Sequence, residues 1–101
     1  MKKQDTKVYI AGKVSGEPYE VCKAKFNHRA ELLRAQGYEV VNPMEIVPKE
    51  SNWREAMNIC IRAITECQAY FMLEDWRLSR GAKIELNLML GLGLQSLNGK
   101  L

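Results

Sequence analysis

Short apolar runs alternate along the chain with longer stretches in which apolar residues return every three or four positions. Lys7-Val8-Tyr9-Ile10-Ala11 is a β-rich run that stops at Gly12, and residues 13–19 form a loop punctuated by Gly16 and Pro18. From about Glu20 to Gln36, the residues Cys22, Phe26, Ala30 and Leu33 recur at helical spacing, and Gly37 closes the segment in the left-handed cap position. Tyr38–Val41 predicts a second strand, broken by Asn42-Pro43. A connection through Pro48 leads to Asn52, and Glu55 three residues later completes a capping-box pattern. The helix that follows runs to about Cys67, with Met57, Cys60, Ile61 and Ile64 on its inner face. Residues 69–73 predict a third strand and about 80–92 a third long helix. Leu94–Leu97 predicts a short fourth strand that Asn98-Gly99 ends early.

This order, β-α-β-α-β-α-(β) with connections of helix length, predicts a parallel sheet with right-handed crossovers and helices on both faces. The expected fold is a three-layer α/β domain over residues 1–101, flavodoxin-like or Rossmann-like, with about four strands in the order 2-1-3-4. In such sheets ligands bind at the carboxyl ends of the strands, beside the point where strand order reverses. The loop after strand 1 (12–19) and the loop after strand 3 (74–79) would meet there, with Glu85 on the helix that follows.

Composition narrows the possibilities without choosing among them. The 101 residues carry 47% hydrophobic and 27% charged side chains, ordinary for one folded domain. A net charge of +3, with no basic run interleaved with aromatics, argues against a nucleic-acid polymer as partner. Cys22, Cys60 and Cys67 show no CxxC spacing and the single histidine is His28, so no metal is expected; the cysteines read as small core residues in a reducing compartment. No apolar run approaches membrane-spanning length, so the expectation is a cytoplasmic protein that does not enter a membrane.

Candidate chemistry concentrates in the two loops and the start of the last helix. Gly12 and Gly16 would let backbone N–H groups approach an anion, with Ser15 and Lys13 adding a hydroxyl and a charge; tight turns would use the same residues. Trp76 either packs on the fold or stacks on a planar ligand. Ser79 suits the cap of the last helix, and its hydroxyl and the Gly81 N–H would also face the crevice. Asn42 either forms the turn after strand 2 or bonds a ligand. Glu85 is either a helix-start acid or a reactive carboxylate.

The strings Val-Tyr-Ile-Ala-Gly-Lys-Val-Ser-Gly (8–16), Gly-Tyr-Glu-Val-Val-Asn-Pro (37–43), Glu-Cys-Gln-Ala (66–69) and Asp-Trp-Arg-Leu-Ser-Arg-Gly-Ala-Lys-Ile-Glu (75–85) resemble the small DUF4406 proteins. The resemblance covers about residues 6–95 and extends to nucleoside 2-deoxyribosyltransferases and deoxynucleoside 5′-monophosphate N-glycosidases. It implies cleavage of an N-glycosidic bond, with Glu85 as nucleophile held ionised by the helix dipole and Tyr9 orienting the carboxylate and sugar. Ser79, six residues before Glu85, leans the match toward a 5′-phosphorylated ligand, with Gly12, Ser15, Gly16 and Gly81 also around the phosphate. The resemblance implies no cofactor. It also places a second carboxylate six residues before Glu66, where this chain has Cys60, so either Asp75 or Glu74 protonates the departing base instead or turnover is slow. The alternative is a non-catalytic binder of a nucleotide or nucleotide-derived signal. Leu86, Leu88, Met89, Leu90 and Leu92 cover so much of the last helix that at least a homodimer is expected.

Overall fold

The computed structural model describes residues 2–99. Its central strand, β1 (Lys7–Ala11), has apolar cover on both faces, as a strand in the middle of a parallel sheet requires. Val8 and Ile10 turn to one side, into a cluster with Phe26, Leu33, Phe71 and Leu73. Tyr9 and Ala11 turn to the other, among Cys60, Ile64, Tyr70, Met72 and Met89. The period-two alternation of a strand thus divides one short sequence between two cores. Fully burying such side chains contributes about 1.5–3 kcal/mol for each of the large ones.

The sheet has four parallel strands in the order β2-β1-β3-β4, with β2 at Glu39–Val41, β3 at Ala69–Met72 and β4 at Gln95–Ser96. β1 pairs Val8 with Val40 on one side and with Ala69 on the other. The short edge strand β4 pairs Ala69 with Gln95. Beyond it the Asn98 side chain takes over the ladder. Its Oδ1 accepts from the Met72 N–H (2.9 Å) and its Nδ2 donates to the Met72 carbonyl (2.8 Å). The dipeptide that ends the strand in sequence therefore also closes its hydrogen bonding.

Helix α1 (Tyr19–Ala35) covers the first cluster with Phe26, Ala30 and Leu33 and also buries Cys22, and these are the four residues whose spacing marks it in the sequence. Gly37 follows it at φ 102°, where a side chain would be strained. Helix α3 (Trp53–Ile64) starts in a capping box: Asn52 Oδ1 accepts from the Glu55 N–H at 2.8 Å, and Glu55 Oε1 accepts from the Asn52 N–H at 2.9 Å. Together with α4 (Arg80–Gly91) it covers the opposite face. Ser79 caps α4, its Oγ accepting from the Ala82 N–H at 3.0 Å. On α4, Leu86 and Leu88 pack against the second cluster and Met89 is buried in it, so part of that apolar surface is used within the chain. Leu90 and Leu92 remain exposed.

Three short elements depart from the sequence reading, two of them single 3-10 turns at Lys3–Asp5 and Trp76–Leu78. The connection after β2 contains a one-turn helix, α2 (Pro43–Ile46), built on Pro43 at its first position and Asn42 as its cap. Four residues are too few for periodicity to register. Among the described residues no helix is long and apolar enough to cross a membrane.

Candidate functional site

The four α-helices of the described residues begin at the carboxyl edge of the sheet, so their first turns ring one depression. The first residues of the three long helices are Tyr19, Trp53 and Arg80. A hollow of about 220 Å³ opens between them, with Tyr9 and Glu85 among the residues lining it. Gly12, Ser15 and Gly81 lie in its wall, as do Cys60 and Met57. A second, more open hollow of about 480 Å³ adjoins it. Ser79, Arg80 and Leu78 line this second space, and Ser15, Trp53 and Gly81 are common to both.

Glu85 lies in the second turn of α4, 6% exposed. The Tyr9 hydroxyl, from the middle of β1, donates to its Oε2 at 2.9 Å. Among the described residues no hydroxyl or amide donates to the other oxygen and no cation pairs with the carboxylate. Burial pushes the Glu85 carboxyl up to about 7, although Tyr9 and the nearby Cys60 thiol pull it down. The expectation that the helix dipole would keep this group firmly ionised is therefore corrected. The dipole acts mainly within the first turn, and here desolvation outweighs it. Burial, with the Glu85 charge behind it, raises the Tyr9 phenol well above its usual range, so Tyr9 stays a donor. Cys60 faces the same pair from α3; burial, reinforced by the Glu85 charge, pushes its thiol up to about 12. A thiol so placed is neutral at physiological pH.

The rim carries two aromatic rings, each with a cation on its face. Lys49 Nζ lies 4.7 Å from the Tyr19 ring centroid, and Arg80 Cζ lies 4.7 Å from that of Trp53. These rings were not singled out in the sequence. Their signal was present, because every helix of such a fold starts at the carboxyl edge and these residues open their helices.

The glycines act by size. A Cβ on Gly12 would meet Leu73 Cδ1 at 2.7 Å and Leu73 Cβ at 2.9 Å, so β1 leaves the sheet closer to β3 than any side chain permits. A Cβ on Gly81 would come within 3.1 Å of Met57 Sδ, in the wall of the hollow.

Other sequence candidates lie elsewhere. Gly16 has φ +84° in the turn and does not line either hollow. Asn42 is fully buried; its Oδ1 accepts from the Met44 N–H (3.0 Å) and its Nδ2 donates to Asn27 Oδ1 (2.8 Å). It shapes the α2 wall from behind. Trp76 packs against the second core cluster with Arg77 over its ring at 4.8 Å, which is the packing alternative. Asp75 lines neither hollow: it accepts from the Lys13 N–H at 3.0 Å and pairs with Lys25. Burial works to raise its carboxyl, but the Lys25 ammonium and the Lys13 N–H prevail and hold it below the usual carboxylate range. Glu74 is exposed and outside both hollows. Neither acid is placed to protonate anything at Glu85. Among the described residues, no three of His, Cys, Asp or Glu gather as a metal centre.

A family model described as a domain of unknown function, DUF4406, matches residues 6–97. The chain belongs to the DUF4406 family. No curated protein matches it. The matched span runs from just before β1 to the end of β4, so the Tyr9–Glu85 pair and the residues of both hollows lie within the DUF4406 domain.

Proposed function

We propose that this DUF4406 chain cleaves the N-glycosidic bond of a nucleoside or nucleoside 5′-monophosphate, with Glu85 attacking C1′ and Tyr9 orienting it. The observation that carries this reading is the Tyr9–Glu85 hydrogen bond of 2.9 Å in the lining of a hollow whose volume suits a small ligand. The phenol fixes one carboxylate oxygen, and the Cys60 thiol beside the carboxylate is only a weak donor that a sugar can displace. Breaking a glycosidic bond develops positive charge on the sugar, and a buried carboxylate against C1′ stabilises it or traps it covalently. The adjoining hollow, with Ser15, Ser79, Arg80 and the Gly81 N–H at the start of α4, has the donors to hold a phosphate on the sugar 5′-oxygen. The resemblance of residues 75–85 to nucleoside 2-deoxyribosyltransferases and monophosphate N-glycosidases supports the same chemistry.

The test is release of free base from a panel of nucleosides and 5′-monophosphates. Glu85→Gln is expected to reduce release at least about a hundredfold, in the range for removing a group that acts in the transition state. Equal release by wild type and variant would remove Glu85 from the chemistry.

One observation favours a second reading, a binder of nucleotides without turnover. The group facing Glu85 from α3 is the neutral thiol of Cys60, and no second carboxylate of the described residues lines the hollow. Under that reading a nucleotide raises the melting temperature, as any ligand of the native state does, while no base is released over hours.

A further inference from the structure

We infer that the ligand of this hollow is a nucleoside whose base already carries a positive charge, an N-glycosylated pyridinium or an N-alkylated purine. The inference rests on the reading of Glu85 as the group that faces C1′, and it names the leaving group.

No second carboxylic acid of the described residues lines the hollow where a departing base would need a proton. A neutral purine or pyrimidine leaves with the bonding electron pair and must take up a proton to be a competent leaving group. Tyr9 already donates its hydroxyl proton to Glu85. Cys60 holds its proton too tightly to give it up. Asp75 and Glu74 lie outside the hollow, and Lys49 is an exposed rim residue with its ammonium on the Tyr19 ring. Glu85 cannot attack C1′ and supply that proton in the same step. Removing a positioned acid costs roughly two to four orders of magnitude with a neutral base.

A cationic base needs no such donor. A Glu85 oxygen forms its bond to C1′ as the C1′–N bond breaks, and the electron pair returns to the ring nitrogen and cancels its charge. The base leaves neutral, and no proton has moved. Water then adds at C1′, the ester electron pair returns to Glu85, and the water proton passes to solvent.

Glu85 is a buried carboxylate with no ion-pair partner among the described residues, so an empty or neutrally filled hollow leaves its charge uncompensated. A cationic ring supplies the missing charge.

Two matched pairs test this on the wild-type protein: nicotinamide riboside against its neutral dihydro form, and 7-methylguanosine against guanosine. Affinity is read by calorimetry, and base release is corrected for spontaneous cleavage. The cationic member of each pair is expected to bind at least about tenfold more tightly, with release about a hundredfold or more above its neutral partner. Glu85→Gln, checked for folding by its melting temperature, is expected to abolish the affinity preference. Equal or better binding of the neutral members, or a preference that survives Glu85→Gln, overturns the inference. Glu85-dependent release from guanosine as fast as from 7-methylguanosine also overturns it and leaves the glycosidase reading standing. Tight, Glu85-dependent binding of the cationic members without release supports the ligand class while removing the glycosidase reading.

Discussion

Tyr9 and Glu85 are 76 positions apart in the chain and joined by one hydrogen bond, so each tunes the other. The phenol lowers the carboxyl against the burial that raises it to about 7. Tyr9→Phe removes that help and is expected to move the Glu85 titration upward. If the carboxylate form is the active one, kcat/KM in wild type rises with pH to a plateau above about 7. In Tyr9→Phe the rising limb should lie at higher pH and the rate at neutrality should fall roughly tenfold or more. A pH–rate profile checks this, and an unmoved limb would mean that the phenol only packs. Gly12 belongs to the same scale. Gly12→Ala places a methyl at 2.7 Å from Leu73 Cδ1, and since Leu73 Cβ is also within 2.9 Å, a rotamer change alone cannot relieve it. The expected cost is about 1–3 kcal/mol in urea unfolding, typical of an overpacked core.

At the scale of elements, the walls of the hollow depend on contacts outside it. Lys25 on α1 bonds the Lys13 carbonyl at 2.8 Å and Glu17 Oε1 at 3.1 Å, and it pairs with Asp75, which in turn accepts from the Lys13 N–H. One lysine and one aspartate thus tie the loop after β1 to the loop after β3. Asp75→Asn is expected to speed amide exchange in residues 13–17 and to raise KM more than it lowers kcat, because the change loosens a wall and spares Glu85. This tie is also where the sequence became hard to read. Strands, long helices and sheet order followed from periodicity and from the βα alternation, and the observed order β2-β1-β3-β4 matches that reading. The meeting of Tyr9 and Glu85 followed from the resemblance and from the switch point. What stayed hidden was how each remaining polar group was spent. A loop aspartate reads the same whether it faces a ligand or a lysine 50 positions away, and Asn42 reads the same whether it bonds a ligand or Asn27. Such partners are set by tertiary packing, which local pattern does not encode. Trp53 and Tyr19 were legible in principle, as the first residues of helices that all start at one edge.

For the whole molecule, the buried carboxylate sets the shape of stability against pH. Folding raises the Glu85 carboxyl from its ordinary 4.5 to about 7. Between those values the native state keeps a proton that the unfolded chain has released, so ν_U is below ν_N and stability falls as pH rises. Above about 7 both states are ionised at this site and the loss levels off, at a size on the order of 3 kcal/mol. Asp75 acts in the opposite direction at the acid end, because its lowered carboxyl gives stability that is lost as pH falls below its ordinary 3.8. The native state should therefore be most stable in mildly acidic solution and weaker at pH 8. Glu85→Gln has no such group to ionise, so its stability advantage over wild type should grow by about 2–3 kcal/mol between pH 5 and pH 8 in urea unfolding. A constant difference between the two proteins across that range would mean that the carboxylate is solvated in the folded state, and the case for a desolvated nucleophile would fail with it. A growing difference would locate the cost of folding this chain at the residue proposed to meet the sugar. A cationic ligand should then restore to wild type at pH 8 stability that the variant, which has no charge to neutralise, does not gain.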